Sequence, residues 1–87
     1  MSPPLEKVYQ LFPDRAFLVT QLAHRSEGFF ALCEEYDLAV SALQQLEARG
    51  AHAAADLLHM AEYRALIEEL KLDLLRELQA SEEASKH

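Results

Sequence analysis

Proline and glycine are confined to a few positions in this chain, and their placement constrains the fold more than any other feature. All three prolines lie within the first thirteen residues, and the two glycines are Gly28 and Gly50. Proline breaks the interior of a helix and glycine weakens it, so long stretches remain that favour helix. Alanine, leucine, glutamate, glutamine and arginine dominate those stretches. We therefore expect an all-α protein, and its 87 residues allow only one hydrophobic core.

A repeating spacing of apolar residues runs through the first half of the chain. It comprises Leu18, Leu22, Phe29, Leu32, Tyr36, Ala39 or Val40, Leu43 and Leu46, with Arg25 at its one charged place. Steps of four and three residues are typical of a coiled-coil seam. The seam is interrupted by Ser26, Glu27 and Gly28, which are a helix-capping residue, an acid suited to a first turn and a poor helix former. We expect a break there, between a short helix over 14–24 and a long one over 27–48; a kink is the alternative.

The second half of the chain predicts one more long helix, with apolar residues on two sides. The chain should reverse at Arg49 and Gly50, because glycine readily takes the left-handed conformation that ends a helix. From about residue 51 to residue 79, one stripe comprises Met60, Tyr63, Ile67, Leu70, Leu74 and Leu78, and a second comprises Leu57, Leu58, Ala61, Ala65, Leu72 and Leu75. A helix in an antiparallel two-helix hairpin buries one such stripe. The other must be covered by the N-terminal segment, by another copy of the chain or by another helical protein.

The sequence thus predicts a single coiled-coil-like helical-hairpin domain over residues 13–80. It follows a loosely ordered lead-in over 1–12, with at most a short helical turn, and precedes a frayed tail over 81–87. Two helices form too thin a core to be stable alone, so we expect a homo-oligomer, a dimer or larger bundle. The interface candidates are Phe30, Leu38, Leu57, Leu58, Leu72 and Leu75. Arg25, a charge within the seam, is a candidate for setting the register between helices; alternatively, its side chain reaches solvent or pairs with an acid of the last helix.

Charge and cysteine content exclude several classes of function. Fifteen Asp and Glu residues against eight Lys and Arg residues give a net charge of -7, and the basic residues are scattered. Nucleic acids and anionic lipid surfaces are bound by clustered cations, so we expect neither as a partner. The single cysteine, Cys33, has no partner for an internal disulfide, which favours a reducing, cytoplasmic compartment. Neither a secretory signal nor a membrane-spanning apolar run is evident.

One group of residues has a spacing that suits a metal site. On a helix, His52, Asp56 and His59 recur at i, i+4 and i+7, so they project to one side. A metal-binding bundle is therefore the alternative function, whereas the structural alternative is a solvated hairpin tip in which Asp56 favours the helix dipole. We expect no cofactor and no catalysis, since phosphate-binding loops and nucleophile sets are missing and acids such as Glu34 and Glu35 suit an outer helix face. The leading prediction is a non-catalytic interaction or scaffolding module.

A family pattern is also present. One segment begins with Phe12-Pro13-Asp14, continues without a gap through Leu18-Val19, Leu22, Phe29, Leu32, Tyr36, Leu43 and Glu47, and ends with Leu66-Ile67-Glu68-Glu69-Leu70. On these positions the chain resembles the YdcH-like family of small bacterial helical-hairpin proteins. The resemblance implies an all-α antiparallel hairpin that often self-associates, and it brings no catalytic residue. The chain has Ile67 where the family has lysine, and this more apolar choice adds to the expectation of a partner.

Overall fold

The computed structural model describes residues 5–50 and 53–85, and helix dominates these ranges. Its α-helices are α1 (Leu5–Leu11), α2 (Ala16–Arg25), α3 (Glu27–Ala48) and α4 (Ala54–Ser85), with a 3₁₀ turn over Pro13–Arg15 between the first two. Within the described ranges there is no strand, so the predicted all-α class is confirmed. The molecule measures 52 × 24 × 22 Å, which reflects the length of about 48 Å that the 32 residues of α4 require. Across the same ranges, none of the helices combines the length and the apolarity needed to cross a bilayer.

The helical path breaks at Ser26, as the sequence favoured. Ser26 has extended backbone (φ -124°, ψ 112°) and separates α2 from α3. Its Oγ accepts a hydrogen bond from the backbone N–H of Phe29 at 3.1 Å, which satisfies one of the free donors in the first turn of α3. Its own N–H donates to the carbonyl oxygen of Leu22 at 2.8 Å and closes the last turn of α2. One residue therefore ends one helix and caps the next.

The first long helix ends just before Gly50, where the sequence predicts its end. Gly50 has a positive φ of 63°, in the left-handed region that favours glycine. Its N–H donates to the carbonyl oxygen of Glu47 at 3.1 Å, so it closes the end of α3. The chain can then turn back, and α4 begins at Ala54.

Ten buried side chains form the hydrophobic core. They are Val8 of α1, Val19 of α2, Phe29, Cys33, Tyr36 and Ala39 of α3, and Ile67, Leu70, Leu74 and Leu78 of α4. All of them belong to residues 5–39 and 67–85, where α1 and α2 pack on α3 and α2 also contacts α4. We call this part of the molecule the four-helix end.

The remainder of α3 and α4 has no closed core, and α1 borders only its beginning, at Val40 and Gln44. No described residue between positions 40 and 66 is buried. Leu46 and Arg49 border one depression with His59, and Leu38 borders the adjacent one with Leu66, so residue numbers rise along one helix as they fall along the other. We call residues 40–48 of α3 and 54–66 of α4 the arm. Its apolar residues along the contact between helices, such as Leu46, are only half-buried.

Residues 5–11 of the predicted N-terminal lead-in form a helix that packs on the core, whereas residues 1–4 lie outside the described part of the chain. Residues Leu5–Leu11 form α1, and the side chain of Val8 is fully buried. The Nζ atom of Lys7 lies 2.7 Å from Oδ1 of Asp37 in α3, and the hydroxyl of Tyr9 lies 2.6 Å from that of Thr20 in α2. Because α1 and α2 both contribute to the core, the chain is more than a plain two-helix hairpin.

The C-terminal helix also extends further than predicted. We expected helix to residue 79 and a frayed tail over 81–87, yet α4 continues to Ser85. The Nε atom of Arg15 lies 2.9 Å from Oε1 of Glu82, and this ion pair joins the 3₁₀ turn before α2 to the last turns of α4. Apolar periodicity stops at Leu78, so the pattern of apolar residues alone does not predict this continuation.

Candidate interaction surface on the arm

Large apolar side chains are exposed at several positions along the molecule. They are Phe17, Phe30, Leu38, Leu57, Leu58, Leu66 and Leu72. Five of the six interface candidates named from the sequence are in this set, and their role in an interface stays a prediction. The sixth, Leu75, is half-buried at the four-helix end and is a weaker candidate.

A continuous groove runs between α3 and α4 along one face of the arm and onto the adjoining edge of the four-helix end. Its inner part, of about 440 Å³, is lined by Glu35, Leu38, Ala39, Ala42, Tyr63 and Leu66. Its outer part, of about 240 Å³, is lined by Ala42, Gln45, Leu46, Arg49, His59 and Tyr63. Because Ala42 and Tyr63 line both parts, the two depressions form one groove. From Glu35 to Arg49 it extends about 21 Å, given a helix rise of 1.5 Å per residue.

The local sequence of α3 explains the shape of this groove. Glu35, Leu38, Ala42, Gln45 and Arg49 follow one another in steps of three and four residues, so they lie on one side of the helix. The central member is an alanine, whose small side chain leaves space between the flanking larger ones. The groove is therefore open, and its central residue on α3 is small.

The groove is apolar at its inner end and polar at its outer end. Leu38 is 69% exposed and Leu66 is 40% exposed, and both border the inner part. Arg49 and His59 border the outer part, whereas the acid Glu35 lies at the inner limit. The two ends thus carry opposite charge, with leucine side chains exposed beside the acidic end.

The second apolar stripe predicted on the last helix is exposed over most of its length. Leu57, Leu58, Ala61, Ala65 and Leu72 all lie in solvent. The N-terminal segment was one of the candidates to cover this stripe, and α1 packs on α2 and α3 instead. The stripe therefore forms a second apolar surface besides the groove.

Arg25, the candidate for setting register, lies outside the core. It is the last residue of α2, next to the break at Ser26, and it is exposed. This position agrees with the alternative in which its side chain reaches solvent. A role in register stays a prediction.

Sequence reasoning missed two of the exposed apolar residues. Phe17 is the most exposed of them, at 76%, and Leu66 completes the inner groove. Phe17 begins a run of three apolar residues that ends at Val19. A helix with one buried face cannot bury three consecutive side chains, so this run contained the signal for Phe17. Leu66 becomes recognisable only once the contact between α3 and α4 is known.

The predicted metal site is only partly within the described residues. His52 lies outside them, whereas Asp56 is half-buried and His59 is exposed in the first turns of α4. The Nδ1 atom of His59 lies 3.7 Å from Oε2 of Glu62. Over residues 5–50 and 53–85, no group of three or more His, Cys, Asp or Glu side chains is placed to hold a metal ion. Metal binding therefore stays a prediction that rests on the sequence spacing alone.

Cys33 is the one thiol of the chain, and its surroundings favour the protonated form. Its side chain is fully buried among the core residues of α3 and α4. Burial raises the pKa of Cys33 from 9.0 to about 11, with a smaller contribution in the same direction from the charge of Glu34. The thiol is therefore a poor nucleophile at neutral pH.

No family model, curated protein or solved structure matches this chain. The resemblance to the YdcH-like family accordingly stays a prediction from the residues quoted above. What the described surface offers chemically is apolar area on two helix faces, together with opposite charges at the two ends of one groove.

Proposed function

We propose that this protein is a non-catalytic interaction module that acts by burying the exposed apolar faces of α3 and α4 against other helices, including those of a second copy. One observation carries the proposal: among the described residues, six of the seven exposed large apolar side chains lie on these two helices. Single exposed apolar residues are ordinary on a protein surface. Here they border a groove and form a stripe, which is typical of a surface that binds another protein.

The lack of a closed core in the arm supports the same proposal. Two packed helices bury little apolar area, and small helical units generally need further helices to become stable. Packing of another helical layer on the arm would supply the missing neighbours. In this proposal α3 and α4 are the antiparallel hairpin predicted from the sequence, and self-association completes a bundle around it.

We extend the proposal to a cytoplasmic location and to the YdcH-like family. Free, buried Cys33 suits a reducing compartment. The residues quoted between Phe12 and Leu70 support the family, which implies the same self-associating hairpin.

Light scattering behind a sizing column tests self-association directly. We expect a mass of twice 9.9 kDa or more, and a fall in mass on dilution. A triple variant, Leu38→Glu, Leu58→Glu and Leu72→Glu, should be monomeric with unchanged helical content by circular dichroism, because all three side chains are exposed.

A matched control adds the same three charges at exposed positions off these surfaces: Gln10→Glu, Gln44→Glu and Ala80→Glu. This control should keep the wild-type mass. A wild-type chain that stays monomeric at submillimolar concentration would contradict the proposal of self-association.

A further inference from the structure

The groove on the arm is complementary to itself. Resting on the proposed function, we infer that a second copy of the chain occupies it, with the two grooves packed antiparallel about a twofold axis beside Ala42. The inference names both the partner and the face through which it binds.

The charged ends of the groove support this arrangement. Glu35 and Arg49 lie seven residues before and seven residues after Ala42. Seven residues are almost two helical turns, so both lie on the same side of α3 as Ala42, each about 10 Å from it along the axis. A twofold axis beside Ala42 exchanges the two ends of the groove. Glu35 of each copy then faces Arg49 of the other, and two pairs of opposite charge form.

The centre of the groove suits the close approach of two helices. Ala42 is small and half-buried, so the backbones of two α3 helices can come near each other there. Leu38 and Leu46 lie four residues to either side of Ala42. The same twofold axis therefore places Leu38, which is 69% exposed, beside Leu46 of the second copy. The most exposed leucine of the groove would become buried.

The distribution of charge favours a second copy in this orientation. Residues 40–66 contain three acidic and two basic residues, whereas the rest of the chain contains twelve acidic and six basic residues. Two chains of net charge -7 repel each other, and the repulsion is least when the nearly neutral arms touch. Antiparallel arms also direct the two acidic four-helix ends away from each other. The contact completes a four-helix layer over the arms.

Charge reversal tests the inference without changing a buried residue. Glu35→Arg alone and Arg49→Glu alone should each weaken dimerisation about tenfold, since two exposed attractive pairs become repulsive. An equimolar mixture of the two variants should associate as tightly as the wild type, because arginines of one chain then face glutamates of the other. The double variant should also recover wild-type affinity. Sedimentation equilibrium measures each case, and absence of rescue in both the mixture and the double variant would overturn the inference.

A second comparison separates the groove from the other apolar surface. Leu38→Glu should weaken dimerisation about a hundredfold, because it places a charge beside apolar Leu46 of the second copy. Leu72→Glu makes the same substitution at a leucine of the second stripe that is 53% exposed, and it should leave the dimer intact. The reverse result, dissociation by Leu72→Glu and none by Leu38→Glu, would overturn the groove as the interface and leave the proposed function standing. A monomeric wild type would overturn both.

Discussion

The four-helix end and the arm are built from the same two long helices, yet only one of them has a core. All ten buried side chains lie at the four-helix end, and none of the described residues from 40 to 66 is buried. The helices do not lose their apolar residues along the arm, since Leu43, Leu46, Met60 and Tyr63 continue the stripes. What changes is the number of neighbours, because α1 and α2 pack at the four-helix end. The comparison teaches that burial here depends on how many helices surround a stripe.

Charge divides along the same boundary. The four-helix end carries most of the acidic excess, whereas residues 40–66 are nearly neutral. An acidic surface around a closed core favours solubility, and a nearly neutral surface with exposed leucines favours contact with another protein. One end of the molecule is therefore strongly acidic around a core, and the other is nearly neutral with exposed leucines.

The largest expected contrast between the two regions is in the free energy of unfolding that is lost when a leucine is replaced by alanine. Leu74→Ala removes a fully buried side chain and should lower the free energy of unfolding by about 3 kcal/mol. Leu58→Ala, on the same helix but 60% exposed in the arm, should cost less than about 0.5 kcal/mol when the protein is dilute. Urea unfolding followed by circular dichroism measures both. Equal losses of unfolding free energy would contradict the distinction between a closed core and an open arm.

Thiol chemistry gives the next largest contrast. Since the pKa of Cys33 is raised from 9.0 to about 11, the thiolate fraction at pH 8 should be about a hundredfold lower than for an ordinary thiol. An aromatic disulfide reagent should therefore modify Cys33 at least that much more slowly than a thiol introduced by Ala61→Cys on the exposed arm. The rates are measured by absorbance on the variant and on the wild type. Comparable rates would show that the core around Cys33 opens readily.

The raised pKa of Cys33 also determines how the stability of the folded chain changes with pH. The folded chain keeps the thiol proton up to about pH 11, whereas the unfolded chain releases it near pH 9.0. Between these values the folded state binds more protons, so the contribution of Cys33 to stability should fall as the pH rises from 9 to 11. Cys33→Ala lacks this contribution, and the stability of the wild type relative to this variant should decline over that interval in thermal melts.

Replacing the capping residue Ser26, at the break between α2 and α3, should lower the free energy of unfolding by an intermediate amount. Ser26→Ala removes the hydrogen bond to the N–H of Phe29 and should cost about 1 kcal/mol. Ser26→Asp retains a capping oxygen and should remain close to the wild type. Urea unfolding of the three proteins measures the difference. If Ser26→Asp were as unstable as Ser26→Ala, capping would not explain the role of this residue.

The smallest expected effect concerns the end of α4. Glu82→Gln weakens the ion pair with Arg15, and because both side chains are more than a third exposed, we expect a loss of about 0.5 kcal/mol or less. The loss should shrink at high salt. Glu83→Gln changes the neighbouring exposed acid and serves as the control. A double-mutant cycle with Arg15→Gln that gives no coupling would show that this contact does not hold the last turns of α4.

Local signals in the sequence were sufficient for several of these features. The bounds of α3, the break at Ser26 and the reversal at Gly50 follow from capping chemistry and glycine geometry, which act over three or four residues. The sequence did not predict that α1 is an ordered helix. A helix of seven residues is unstable without neighbours, and only the burial of Val8 shows that α1 has them. Leu75 is half-buried at the four-helix end, and periodicity does not tell which side of α4 another helix covers.

By itself, the sequence determined that this protein is helical, where its long helices break and turn, and that α4 has more apolar surface than one partner helix can bury. Those properties depend on backbone preferences and on the period of a single helix. Only the tertiary structure decided that α1 and α2 gather at one end, that the arm stays open and that Ala42 and Tyr63 form the middle of a groove. These features depend on contacts between residues far apart in the chain, and spacing along one helix carries no information about them.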